Sequence, residues 1–398
     1  MRSNTHSAPG LVTGWLRPSS VSSGFIAVLV GYTSSVAIIF QAASAAGANA
    51  EQLASWMWAL GIGMGVTCIT LSLVWRAPVL TAWSTPGAAL LATSLGGVGL
   101  PHAIGIFIAS SALIVLCGVT GWFQKLMDWV PRHLASAMLA GILLRFGMDL
   151  FSSMHGQPTL VLAMFATFLL SRRWVPRYSV PLALLVGILW ALPQGSLSLS
   201  GLDWTPAHPV WMAPEFSAAS LIGVGLPLFI VTMTSQNIPG LAVLRANGYA
   251  RVPASPLISW TGITGMLLAP FGGFAFNLAA ITAAICMSPD ADPDASQRYK
   301  ASVWAGVFYF LTGIFGATVV ALFAAFPHEL VAAIAGLALL GTLSSSIHDS
   351  LQVPEHRDAA LVTFLATASG MTLLGIGSAF WGLVLGGICH LVLRARAA

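Results

Sequence analysis

The chain reads as an all-α polytopic membrane protein of about 14 transmembrane segments in two inverted seven-span repeats. The third and tenth spans are expected to be short half-helices preceded by extended segments. Three observations predict this fold. Hydrophobic residues make up 57% of the 398 residues and charged residues only 7%, where a soluble domain carries about 25% charge. The Lys and Arg residues fall in clusters spaced for pairs of spans. Two apolar runs are interrupted at matching places in the two halves.

The sixteen Lys and Arg residues group as Arg2 and Arg17; Arg76; Lys125 and Arg132; Arg172, Arg173 and Arg177; Arg245 and Arg251; Arg298 and Lys300; Arg357; Arg394 and Arg396. Arg145 alone stands outside the scheme. Each gap between clusters holds two spans and a turn at about 20 residues per span. Seven such hairpins put every cluster on one face, which the positive-inside rule makes cytoplasmic, with both termini inside. The longest loop on the other face, near 195–216, carries Asp203, His208 and Glu215 but no Lys or Arg.

The first two spans run from about Ser22 to Ala46 and from Gln52 to Trp75. Tyr32, Thr33, Ser34 and Ser35 lie near the middle of the first. Gly61 and Gly65 in the second form a GxxxG, which allows close helix packing. After Arg76, Pro78 and the β-prone Val79–Trp83 disfavour helix. Thr85 and Pro86 then read as N-cap and first helical position. The helix they start, ending near Leu95, is about half as long as the roughly 30 Å hydrocarbon core.

Span four runs from about His102 to Phe123, and span five, from about His133 to Phe151, contains Arg145 and Asp149. These two are four apart on one helix face and are expected to pair, as a structural pair or in a gating or proton-linked role. The eighth span, about Ser220 to Leu244, carries Ser235, Gln236 and Asn237 side by side. They lie about 12–15 Å along a helix from Arg245, close to the bilayer midplane. Amides there serve either as glue between helices or as the lining of a cavity. Span nine ends near Ala269. Pro270-Phe-Gly-Gly-Phe-Ala-Phe-Asn277 then breaks the apolar run before a helical stretch of about ten residues to Met287. The last four spans run from about Ala301 to Leu393, with His348, Asp349, Glu355, His356 and Asp358 in a solvated loop.

Paired broken helices in inverted halves point to a midplane transporter site. Half-helix N-termini offer N–H groups and partial positive charge to an anion. Ser235, Gln236, Asn237 and Asn277 are candidate hydrogen-bond partners beside Thr85, Pro86 and Gly87. Phe274, Phe276 and Tyr32 are candidate walls. The four cysteines, Cys68, Cys117, Cys286 and Cys389, sit in or at the ends of apolar spans without CxxC spacing, so neither a disulfide nor a metal site is expected. No HExxH motif and no intramembrane base beside a nucleophile is found, which argues against an enzyme. No basic stripe points to nucleic acid, and no cofactor is implied.

The segments MTSQNIPGLAVLRANGY (233–249), WSTPGAALLAT and FGGFAFNLAAITAAI closely resemble the BenE family of benzoate–proton symporters, over nearly the whole chain. The resemblance implies benzoate uptake coupled to protons across a bacterial inner membrane, on an architecture similar to nucleobase–cation symporters and sulfate-permease-type anion carriers. By that analogy, residues 1–128 and 215–326 form a core domain, and 129–200 and 327–398 a gate domain. Homodimers fit this scaffold. A uniporter, an anion channel or a nucleobase-type carrier is the alternative on the same scaffold. The nucleobase relatives carry acids in the eighth and tenth spans where this chain has Gln236, Asn237 and Asn277. Amides suit an anionic substrate, because a buried carboxylate would repel it. The proton is then expected to travel on the substrate or with ordered water.

Overall fold

The computed structural model describes residues 15–122, 131–194 and 204–394. The expected boundaries at 128 and 200, the residues Arg2, Lys125 and Arg396, and Asp203 of the long loop lie outside the described residues. The first half contains α1 (Pro18–Ala45), α2 (Ala50–Trp75), β1 (Thr81–Trp83), α3 (Thr85–Ser94), α4 (Leu100–Thr120), α5 (Arg132–Ser152), α6 (Pro158–Trp174) and α7 (Ser179–Ala191). The second contains α8 (Ala218–Ala246), α9 (Ala254–Leu268), β2 (Phe276–Leu278), α10 (Ile281–Met287), α11 (Tyr299–Ile314), α12 (Gly316–Ala324), α13 (His328–Leu351), α14 (Arg357–Ala368) and α15 (Ser378–Arg394).

The molecule is a helical, multi-pass membrane protein. Six helical stretches among the described residues are long and apolar enough to cross a membrane: α1, α2, α4, α5 with its 3-10 extension, α8 and α13. A seventh arises if α11 and α12, bent by 66°, are counted together. The other helices are shorter.

Local chemistry explains the element ends. Asn49 and Gln52 form a reciprocal capping box at the start of α2, each side chain accepting from the other's backbone N–H at 2.9 Å. Arg76 ends α2 in the left-handed conformation (φ 48°), and Pro78 keeps the following chain extended. Gly272 (φ +92°) turns the chain after α9. A Cβ there would meet the Trp56 ring, so only glycine fits. The last turn of α10 is held by Arg298, which donates to Met287 O at 2.9 Å, placing a cation at the carbonyl end of the helix. Arg298 also donates to Asp292 O, and the buried Asp292 carboxylate receives Arg17 Nη1 at 2.8 and 3.0 Å. The chain after α10 is thereby fastened to the approach to α1.

Helices α1, α2, α3 and α11 pack together, as do α4 and α9. Helices α5, α13, α14 and α15 pack together, with α6 beside α7. The GxxxG of α2 does what its spacing suggests. A Cβ on Gly61 would sit 2.7 Å from Gly313 N and Tyr309 O, and one on Gly65 2.8 Å from the Phe310 ring. One expectation is corrected. His348 and Asp349 are not in a loop but in the last turns of α13, and Asp358 is in the first turn of α14. Their polarity reflects exposed helix ends, which a loop reading of sequence cannot separate from a turn.

Gly61→Val should lower the melting temperature of the purified protein, with a cost of about 1–3 kcal/mol or more from overpacking. An unchanged melting temperature would show that α2 and α11 stand farther apart than described.

Candidate functional site

The site is built where the two helix breaks meet. β1 and β2 pair antiparallel, with Thr81 opposite Leu278, Ala82 opposite Asn277 and Trp83 opposite Phe276. The bonds Ser84 N to Ala275 O (3.1 Å) and Ala279 N to Leu80 O (2.9 Å) extend the pairing at both ends. Backbone outside a helix is tolerated inside an apolar bundle only when it finds such partners. Ala275 takes φ 44°, a costly conformation for a residue with a Cβ. Asn277 Nδ2 donates to its carbonyl at 3.0 Å.

From β1 the chain enters α3 at once. The cap is Ser84, one residue before the expected Thr85. Its Oγ accepts from Gly87 N at 3.0 Å. Pro86 has no N–H, so the first turn of α3 supplies a positive field more than a set of free donors.

The stretch Met233–Asn237 in the middle of α8 is a π-helical turn, a local widening found often at functional sites. Its consecutive side chains part company. Asn237 is fully buried; its Oδ1 accepts from Leu278 N at 3.0 Å and its Nδ2 donates to Met233 Sδ at 3.1 Å. It straps α8 to the end of β2. Ser235 Oγ donates back to Val231 O at 2.6 Å. Gln236 is half-buried and has no hydrogen-bond partner among the described residues.

Gln236, Ser235, Thr85 and Pro86 line a cavity of about 450 Å³. Gly31, Ser34 and Ser35 of α1, Trp83, Ile281, Thr282 and Tyr309 continue its wall. The opposite wall comes from Arg177, Ser179 and Val180 and from Ala338, Leu339, Thr342 and Ser345 of α13. Among the described residues, Arg177 is the single charged one in the lining, its Nη1 4.0 Å from the Asp290 carboxylate, and no His, Cys, Asp or Glu lines the cavity. Trp83 is fixed by its Nε1, which donates to Ser35 Oγ at 2.8 Å, and by the edge-on Tyr32 ring at 4.8 Å.

The sequence-derived candidates thus divide. Ser235, Gln236, Thr85 and Pro86 face the cavity. Tyr32 stands behind Trp83. Asn237, Asn277 and Gly87 are buried in the framework, and Phe274 packs on Trp56 and Phe107 at 5.8 and 5.3 Å. Phe276 fills the space beside Gly63 and Gly265. Trp83, Tyr309, Thr282 and Arg177 were not among the candidates. Trp83 had a signal, two residues from Thr85 in an extended segment; Tyr309 had none, being one aromatic in an apolar span.

A second cavity, about 940 Å³, lies farther along α1 and is lined by Gln41, Asn49, Arg145, Asp149, His328 and Glu329 among others. Arg145 and Asp149 are exposed and share this cavity, but no ion pair joins them. Where the second cavity holds Phe40 and Ala332, the first holds Ser35 and Ala338. Between them lie Val36–Ile39 of α1 and Ala333–Leu337 of α13, every residue buried. These two helices pack against each other, so a dry seam separates the cavities.

A cavity with a few polar groups at two paired helix breaks inside an apolar bundle is the arrangement of a membrane transport protein. Comparison with known proteins agrees. The model of the BenE family, described as benzoate membrane transport protein, matches residues 14–392, and the chain belongs to that family. It is 52% identical over 380 residues to the inner membrane protein YdcO of Escherichia coli (strain K12), covering 96% of this chain and 97% of that one. It is 42% identical over 375 residues to the benzoate membrane transport protein of Acinetobacter baylyi (strain ATCC 33305 / BD413 / ADP1), covering 94% and 95%. The fold is similar to that of SLC26A9 (TM-score 0.65, 12% identity, 96% of this chain and 65% of that longer one). It is also similar to the transmembrane domain of the cyanobacterial bicarbonate transporter BicA (TM-score 0.54, 12% identity, 95% and 97%).

Asn237→Ala would leave the buried Leu278 N–H without an acceptor and should cost about 1–3 kcal/mol of stability. Gln236→Ala should leave the melting temperature of the detergent-purified protein unchanged. The reverse order of melting temperatures would mean that the two amides have been assigned the wrong way round.

Proposed function

We propose that this chain is a secondary active transporter that imports benzoate with protons across the bacterial cytoplasmic membrane by alternating access. The observation that carries the proposal is the Gln236 amide, which has no side-chain partner among the described residues and faces a cavity shared with the start of α3 in whose lining those residues place no acid. The Gln236 Nε2 and nearby hydroxyls donate to the carboxylate, and the field of α3 favours its charge. No carboxylate in the lining repels it. Trp83, Tyr309, Val180 and Ile281 offer the aromatic ring an apolar surface.

The proposed topology is fourteen spans in two inverted repeats, both termini cytoplasmic. It treats the shorter helices as spans completed by their neighbours, with α12 as an extra segment. The proposed core unit comprises residues 1–128 and 215–326, and the gate unit 129–200 and 327–398. The smaller cavity then opens toward the cytoplasm and the larger one toward the outside. Sliding of α13 along α1 moves the dry seam from one side of Gln236 to the other. Since no His, Asp or Glu among the described residues lines the smaller cavity, the proton travels on the substrate or with ordered water. Arg145, in the outer cavity, attracts the approaching anion, and Asp149 does not carry the coupled proton.

The test is labelled benzoate uptake into proteoliposomes under a clamped membrane potential, with protein-free liposomes as control for unaided passage of benzoic acid. An inward proton gradient should drive accumulation above equilibrium, and Asp149→Asn should retain it. Protein-dependent flux without accumulation would instead make the protein a uniporter or channel. Gln236→Ala should weaken benzoate binding by about 1–3 kcal/mol, read by equilibrium binding to the purified protein. Unchanged affinity would remove Gln236 from the site.

A further inference from the structure

Away from both cavities, three histidines from separate segments converge. His133 is in the first turn of α5, His356 in the 3-10 turn before α14, and His390 in the later part of α15. Their ring centroids are 4.4 Å apart for His133 and His356, 5.0 Å for His133 and His390, and 4.8 Å for His356 and His390. One ring nitrogen from each lies within 4.8 Å of the other two, and all three residues are half-buried. Nε2 of His133 is enclosed and has no hydrogen-bond partner among the described residues. Such a nitrogen has lost its water without replacement, which is costly, unless an electron-pair acceptor takes its place.

We infer that His133, His356 and His390 form a binding site for a divalent transition metal ion of the zinc type. Three neutral imidazoles are a donor set suited to Zn²⁺, Co²⁺ or Ni²⁺, with water completing a four-coordinate shell. A Zn–N distance of about 2.0–2.1 Å places the ligand nitrogens about 3.4 Å apart. The remaining gap is at most about 1.4 Å, within the reach of side-chain rotation. The neighbouring Arg357 does not crowd the centre, because its Nε is turned onto Leu351 O at 2.9 Å. The consequence is mechanical. α14 packs on both α5 and α15, and the ion ties the first turn of α5, the turn entering α14 and the far part of α15 at one point. The site does not depend on the identity of the transported solute.

The test uses the full-length protein with any polyhistidine tag removed and metals stripped by a chelator. Titration with Zn²⁺ should saturate at one ion per chain and raise the melting temperature. Co²⁺ should give the visible absorption of a four-coordinate imidazole complex. His133→Gln, His356→Gln and His390→Gln should each weaken Zn²⁺ binding by at least about tenfold, the scale on which even outer-shell losses act. His208→Gln and His348→Gln should not. His356 sits in a short connection, so its variant is the one least exposed to misfolding. The absence of stoichiometric Zn²⁺ binding in the unsubstituted protein would overturn the assignment, as would binding that survives all three substitutions.

Discussion

The constraint on which the rest of this structure depends is the satisfaction of backbone hydrogen bonds where two chain segments leave the helical conformation inside an apolar bundle. No water is available there to replace a missing partner. The pairing of Thr81–Trp83 with Phe276–Leu278 meets the requirement by making each break the partner of the other. Neither half could keep its extended segment alone. The crossing fixes where α3 and α10 begin, and with them two edges of the cavity. It also sets the need for Asn237, whose Oδ1 takes the N–H of Leu278 at the end of the ladder.

Adjacent amides in α8 divide the labour between framework and site. A helix rotates by about 100° per residue, and the π-helical turn at Met233–Asn237 adds a local shift. Asn237 therefore faces the strands while Gln236 faces the cavity. The framework amide is satisfied on both ends, whereas the cavity amide has no side-chain partner among the described residues. The family to which the chain belongs is described as a benzoate membrane transport protein, and among the described residues the lining carries no acid and one Arg, whose guanidinium lies 4.0 Å from the Asp290 carboxylate outside it.

Much of this was legible in the sequence because it is encoded locally. Pro78, the Thr85-Pro86 pair and the Pro270–Gly273 break signal departures from helix with no tertiary information. Gly61 and Gly65 signal a close approach. What was not legible is long-range or directional. Nothing near Ala82 indicates that it will lie opposite Asn277, because strand pairing across such a separation has no local signature. Spacing along an assumed regular helix cannot tell which of Gln236 and Asn237 turns inward once a π turn intervenes. Arg145 and Asp149 have the right spacing to pair, yet both point to a solvated cavity, where an exposed ion pair gains little. The span count shows the same limit. The basic clusters imply hairpins, but several of the helices within them are shorter than a bilayer, and hydropathy alone does not reveal that.

The most direct measurement is anomalous diffraction from crystals grown with 4-bromobenzoate, after competition has shown that it displaces benzoate from the protein. A bromine peak inside the smaller cavity, with the carboxylate toward Gln236 and the start of α3, is the result this account predicts. A peak in the larger cavity beside Arg145, with the smaller one empty at saturating ligand, would contradict it.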